Sequence, residues 1–292
     1  MKPSQSLFLE VRGLRYHVRR WPGEGARKLF LLHGWMDVSA SFQFLADALQ
    51  GEWDLYAPDW RGYGLTQWGK SDCYWFPDYI ADLDLILEKL EPENAVNLVG
   101  HSLGGNVAAL YAGIRPQRVA RLVNLEGFGL KPTSAEEAPG RYARWLQELG
   151  NRPRRRPRFR PYKDFDELAQ RLRQGNRRLS QEKAAFLAQH WGRDAGGEGV
   201  LLRGDPAHKI VNPVLWRYEE ARACWREVTA PVLWVDAAQS DTLQRIGLTG
   251  KQHAQRRAAF RNLRYETIAD AGHMLHHDQP QAVARLIEEF LR

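Results

Sequence analysis

Short apolar runs and longer helical stripes alternate along most of this chain. Residues 7 to 20 read as two short strands that turn near Gly13, an antiparallel lead-in. Lys28 to Leu32, Trp53 to Ala57, Ala95 to Val99, Arg121 to Leu125, Val232 to Val235 and Arg264 to Ile268 read as further strands. Helical spacing appears between them. Phe42, Leu45, Ala46 and Leu49 mark a helix over Ser39 to Leu49, and Ile80, Leu83, Leu87 and Leu90 form the inward stripe of Asp78 to Leu90. Leu103 to Ile114, Lys251 to Phe260 and Gln281 to Leu291 complete the series. Strand and helix in alternation predict an α/β fold, a mostly parallel central sheet with crossover helices on both faces.

The alternation stops at Gly127. Arg141 to Leu149, Asp164 to Gln174 and Ser180 to Trp191 are helical without intervening strands, and Gly196 to Gly199 separates them from a helix near Arg217 to Glu227. Residues 1–127 and 226–292 therefore read as one core, and 128–225 as a helical insertion within it.

Composition narrows the function classes. The 292 residues are 43% hydrophobic and 11% aromatic, enough for a sizeable core and against disorder. The two cysteines, Cys73 and Cys224, fit no metal, redox or disulfide spacing. The first ten residues lack a secretory pattern and no run of eighteen apolar residues occurs, so a cytoplasmic chain without a membrane span is expected. The net charge of +7 sits in the insertion, where 20 Lys and Arg stand against 12 Asp and Glu. Its centre is the run Arg152 to Arg160, which Pro153, Pro157 and Pro161 keep extended. Beside Phe159 and Tyr162, that run has the makings of an anion-binding strap. A solvated loop face is the simpler reading, and nucleic acid is not an expected partner.

The chemistry concentrates in Gly100-His101-Ser102-Leu103-Gly104-Gly105, set between the Val96 strand and the Leu103 helix. This G-x-S-x-G pattern lifts a serine hydroxyl onto a sharp strand-to-helix turn at the sheet's carboxyl edge. A serine needs an adjacent base, and Gly272-His273, just past the last strand, brings a histidine to the same edge. His273, His276, His277 and Asp278 lack the partner ligands of a defined metal site, so neither metal nor cofactor is expected. His33 and His101 read as structural groups near the site.

His33-Gly34-Trp35, Asp59-x-Arg61-Gly62-x-Gly64, the Ser102 hexapeptide and Gly272-His273, taken in order, resemble the α/β-hydrolase family over nearly the whole chain except the insertion. The stretch from Leu32 to Phe42 resembles its serine-hydrolase-like subgroup, often grouped with Kraken-type proteins. The resemblance implies a cap domain over the active site, falling where residues 128–225 fall. It also implies an oxyanion hole from the backbone N–H groups of Trp35 and Leu103. For the acid that orients His273, two candidates stand. The usual aspartate lies nine residues beyond the proline opening the later strand, but counting from Pro231 reaches Ser240, one short of Asp241. Some relatives take their acid from the end of the earlier strand, here Glu126, and Glu126 is favoured over Asp241.

Serine at the turn argues against dehalogenase and epoxide hydrolase chemistry, which this family runs on aspartate. What remains is an acyl-enzyme hydrolase of small carboxylic esters, of the carboxylesterase class, with anionic esters in keeping with the basic insertion. A carbon–carbon bond or thioester hydrolase would use the same residues, and a non-catalytic binding protein using the basic strap is the reading of another class. A homodimer is allowed.

Overall fold

The chain's most apolar short segments become the centre of one sheet. The computed structural model describes residues 1–23, 27–70, 72–150 and 159–292. In chain order the strands are β1 (Gln5–Val11), β2 (Leu14–Trp21), β3 (Arg27–Leu32), β4 (Trp53–Pro58), β5 (Val96–His101), β6 (Val119–Leu125), β7 (Gly192–Asp194), β8 (Val200–Leu202), β9 (Val232–Ala237) and β10 (Leu263–Ile268). The helices are α1 (Gln43–Ala48), α2 (Phe76–Leu90), α3 (Leu103–Ile114), α4 (Ala138–Gly150), α5 (Phe165–Gly175), α6 (Gln181–Trp191), α7 (Tyr218–Arg226), α8 (Thr242–Arg245), α9 (Gly250–Arg257), α10 (Leu275–Asp278) and α11 (Pro280–Leu291).

Eight strands pair in the order β1-β2-β4-β3-β5-β6-β9-β10. The six from β4 to β10 run parallel, and β1 and β2 form the antiparallel lead-in. Successive residues of the central strands point to opposite faces. Phe30, Leu32, Leu98, Leu122 and Trp234 meet α2, α3 and α7 on one side, and Leu29, Leu31, Val99, Val123 and Leu233 meet α1 and α11 on the other. A sheet covered on both faces explains why these strands carry no polar alternation.

The insertion builds a small core of its own. Leu168, Leu179, Ala184, Leu187 and Val200 pack together, and Phe44 at the start of α1 joins them to the main body. The sequence pattern shows no strand there, yet β7 and β8 form a short hairpin across the Gly196 to Gly199 turn. Three-residue strands are too short to leave a periodic signal. α7, at the end of the inserted segment in sequence, lies on the main sheet layer. A side chain at Gly113 of α3 would meet the Cys224 carbonyl at 1.8 Å, so glycine is what lets α3 and α7 approach. Of the Arg152 to Arg160 run, only Phe159 and Arg160 fall within the described residues, and Arg160 is exposed. No helix among the described residues is long and apolar enough to cross a membrane.

Buried histidines give this fold an acid-labile interior. His33 Nδ1 donates to the Gly34 carbonyl at 2.8 Å, and its Nε2 accepts from the Trp60 N–H at 2.9 Å. A second proton would set two N–H groups against each other. Burial pushes His33 down to about 4 and His208 down to about 3. In the unfolded chain these rings protonate near 6.5, so below that pH the unfolded state binds more protons and stability falls as pH falls. Each of these two rings costs about 1.4 kcal/mol per pH unit until its folded value is reached. Burial also raises Asp37 to about 7 and Asp236 to about 6, which acts in the opposite sense for two groups. Thermal melts from pH 7.5 to 4.5 should show Tm dropping steeply below pH 6.5, and a flat profile would contradict the assignment.

Candidate active site

β5 ends at His101, and the chain reverses through Ser102 into α3. Ser102 has φ +52° and ψ −113°, a left-handed conformation that costs a residue with a side chain about 1–3 kcal/mol. The turn is held from both sides, since Ser102 N donates to Leu125 O at 2.8 Å and Ser102 O accepts from Asn106 N at 3.0 Å. Gly104 is needed for this closeness, because a Cβ there would lie 2.0 Å from the Leu32 carbonyl oxygen. The hydroxyl thus stands above the sheet's carboxyl edge rather than inside it.

His273, on the loop between β10 and α10, reaches the same point. Its Nε2 lies 3.1 Å from Ser102 Oγ, and its Nδ1 lies 3.0 Å from Glu126 Oε2. A carboxylate only accepts, so Nδ1 carries the ring proton and the Nε2 lone pair faces the serine hydroxyl. Glu126 is 1% exposed at the tip of β6. Three donors converge on its carboxylate: His273 Nδ1, the Ala237 N–H at 2.8 Å, and Ser240 Oγ at 2.5 Å. A buried carboxylate satisfied in this way avoids the penalty of an unpaired charge. Its backbone is also left-handed, with φ +57°. Asn124 braces that turn, donating to Gly127 O at 3.0 Å and accepting from Gly127 N at 2.8 Å.

Asp241 takes a different place. Its side chain is 67% exposed and pairs with Arg245 at 3.0 Å. Asp236 accepts from Trp234 Nε1 at 2.8 Å and from the Tyr265 hydroxyl at 2.9 Å, inside the sheet layer. Ser240 and Asn124 are contributors that the sequence reading did not single out for a role. Asn124 carries a signal, an amide in an otherwise apolar strand, and Ser240 occupies the register position where an acid is usual.

The remaining sequence candidates fall around this centre. Leu103 is the first residue of α3, so its N–H has no acceptor within the helix. Trp35 follows His33-Gly34, and Gly34 lies hard against the elbow, where a Cβ would stand 3.3 Å from Ser102 Cβ. Trp35 and Leu103 both line the cavity that Ser102 faces. His101 Nε2 donates to the His273 carbonyl at 2.8 Å and so props the loop that carries the ring. The run from His273 to Asp278 does not converge. His277 Nε2 pairs with Ser41 Oγ at 2.8 Å, while Asp278 accepts from Gly272 N at 2.8 Å and Asn176 Nδ2 at 2.7 Å.

Two cavities flank the Ser102–His273 pair. The larger, about 630 Å³, holds Ser102 and Glu126 in its wall and is otherwise lined mainly by apolar groups including Phe76, Ile80, Phe128 and Trp216. The smaller, about 380 Å³, has His273, Asp37, Trp191 and Arg203 in its wall. Among the aromatics of the insertion, Trp216 and Trp191 thus face cavities. Trp225 is buried in the main core, and Phe186 packs edge-on against Phe44 at 5.6 Å.

Comparison with known proteins identifies the fold. The family described as the alpha/beta hydrolase fold matches residues 28–280. A serine hydrolase-like protein of Danio rerio is 27% identical over 281 residues, covering 93% of this chain and 83% of that protein. Serine hydrolase-like protein 2 of Homo sapiens is 23% identical over 284 residues, covering 94% and 90%. The crystal structure of a hypothetical protein from Pseudomonas aeruginosa PAO1 superposes with a TM-score of 0.85 at 26% identity, over 98% of this chain and 99% of that one.

Proposed function

This chain belongs to the α/β-hydrolase family and sits with its serine-hydrolase-like subgroup, and from that premise we propose that it cleaves a small carboxylic ester through an acyl-enzyme on Ser102. The observation that carries the proposal is the continuous line Ser102 Oγ–His273–Glu126, at 3.1 and 3.0 Å, opening on a 630 Å³ apolar cavity. In this reading His273 Nε2 takes the hydroxyl proton as Ser102 Oγ bonds to the ester carbon. The carbonyl π electrons move onto oxygen, which the N–H groups of Trp35 and Leu103 stabilise. Collapse of that intermediate expels the alkoxide, which takes the proton from His273 and departs as the alcohol. Water then repeats the sequence on the acyl group, releasing the acid and restoring Ser102. Glu126 fixes the tautomer of His273 and stabilises its imidazolium throughout.

The helical segment within 128–225 serves as the cap in this proposal, with Phe128, Leu215 and Trp216 roofing the larger cavity. Acyl chains entering there leave water for apolar walls. Each buried methylene contributes about 0.8 kcal/mol, so kcat/KM should rise about fourfold per added carbon in a nitrophenyl ester series until the cavity is filled. A fluorophosphonate should label Ser102 alone. An unlabelled protein, or a flat chain-length profile, would contradict the proposal or its acyl site respectively.

A further inference from the structure

Behind the Ser102–His273 pair, three buried side chains turn polar atoms toward one another. Asp37, His101 and His276 are each no more than 2% exposed, and one donor atom from each lies within 4.8 Å of the other two. Asp37 Oδ1 accepts from the Val38 N–H at 2.8 Å, while Oδ2 has no hydrogen-bond partner among the described residues. The Ser41 hydroxyl and Trp191 indole stand near it without reaching bonding geometry. His101 Nδ1 and both ring nitrogens of His276 are likewise buried and unpartnered.

The hydrogen bond on the far side of His101 fixes what Nδ1 can do. A carbonyl has no proton to give, so His101 Nε2 must donate to His273 O. In a neutral ring, Nδ1 is then a bare lone pair aimed into the cluster. The space therefore brings together two imidazole rings and one carboxylate, with no lysine or arginine among the described residues hydrogen-bonded to their inward atoms. A neutral His276 keeps one N–H, and with its other nitrogen turned inward the three groups offer three acceptors, which attract a divalent ion. Two nitrogens and one oxygen suit zinc and the late first-row metals, whereas calcium and magnesium take oxygen donors.

We propose that Asp37, His101 and His276 form a three-ligand site for a zinc-class divalent cation. A tetrahedral ion needs its ligand atoms roughly 3.4 Å apart, so modest side-chain rotation closes the observed spread. Asp37 also lines the smaller cavity, which supplies an entry path and a fourth ligand from water. The site is separate from the Ser102 line: His273 supplies no ligand atom to it, and meets His101 through its backbone carbonyl and a ring contact at 4.8 Å. The proposal stands whether or not the ester reading does, because metal uptake is measured without turnover.

The test uses the full chain, stripped with a chelator and titrated calorimetrically with zinc chloride. One equivalent should bind, and zinc at a hundred times its Kd should raise Tm by about 4 °C. Asp37→Asn and His276→Gln should each weaken binding at least tenfold, while His273→Ala should leave it within twofold. Cobalt(II) in the unmodified protein should give the strong visible bands of a four- or five-coordinate site, a readout that survives any failure of the variants to fold. Loss of binding in His273→Ala would place the ion on the active-site ring and overturn the proposal. So would zinc uptake unchanged in both cluster variants, or no uptake together with the faint six-coordinate cobalt spectrum, in which case the cluster holds only an ordered water.

Discussion

Ser102→Ala should reduce ester turnover by about 10⁵-fold or more with the fold intact. The methyl side chain fits wherever the serine does, and the strained backbone at residue 102 is set by the Leu125 and Asn106 hydrogen bonds, which alanine keeps. Only the nucleophilic oxygen is lost. His273→Ala should be nearly as damaging, because a serine hydroxyl without a base at 3.1 Å attacks poorly. The double variant should be hardly worse than either single one, since the two groups act as a unit. Turnover by purified proteins, with circular dichroism as the folding control, checks all three. Ordinary hydrolysis by Ser102→Ala would remove the acyl-enzyme reading.

The second large effect separates the two carboxylates. Glu126→Gln should lower kcat about 10³- to 10⁴-fold, because an amide can present its own N–H to Nδ1 and favour the wrong tautomer. Asp241→Asn should change kcat less than twofold, since Asp241 serves a solvent-exposed ion pair with Arg245. A third variant sharpens the comparison. Ser240 Oγ lies 2.5 Å from Glu126 Oε2, so a carboxylate built at residue 240 begins where the glutamate ends. Glu126→Gln combined with Ser240→Asp should regain at least tenfold of the lost kcat. Equal losses in the two single variants would show that neither carboxylate orients His273 alone.

How much of this was legible in the residues depends on the range over which each signal acts. The parallel strands could be read because burial on both faces makes them apolar throughout, as in Leu29 to Leu32 and Val232 to Val235. The elbow could be read because close backbone approach forces glycine at fixed spacing around Ser102. β7 and β8 could not, since three residues carry no period. The position of α7 on α3 was hidden for another reason: Gly113 and Cys224 meet across more than a hundred residues, and neither announces the other. The acid was half legible. Register counting from Pro231 reached Ser240 and disfavoured Asp241, but nothing in a linear sequence shows Ser240 donating to Glu126. The cluster of Asp37, His101 and His276 was out of reach for the same reason, as its members come from the loop after β3, the end of β5 and α10.

β5 and β6 are neighbours in the sheet, paired from Asn97 with Arg121 to His101 with Leu125. Ser102 and Glu126 are the next residues on each strand. One strand pairing therefore sets their alignment, and a slip of one position would carry the nucleophile and its acid out of line with each other. The β5–α3–β6 unit closes over a short stretch of chain at a low loop-closure cost, whereas His273 meets Glu126 and Ser102 across separations of 147 and 171 residues. The segment between them has length to spare. Within the connection from β6 to β9, α7 is tied to α3 in the main core, while α5, α6 and β8 share a core of their own whose composition can change without moving Ser102 relative to Glu126.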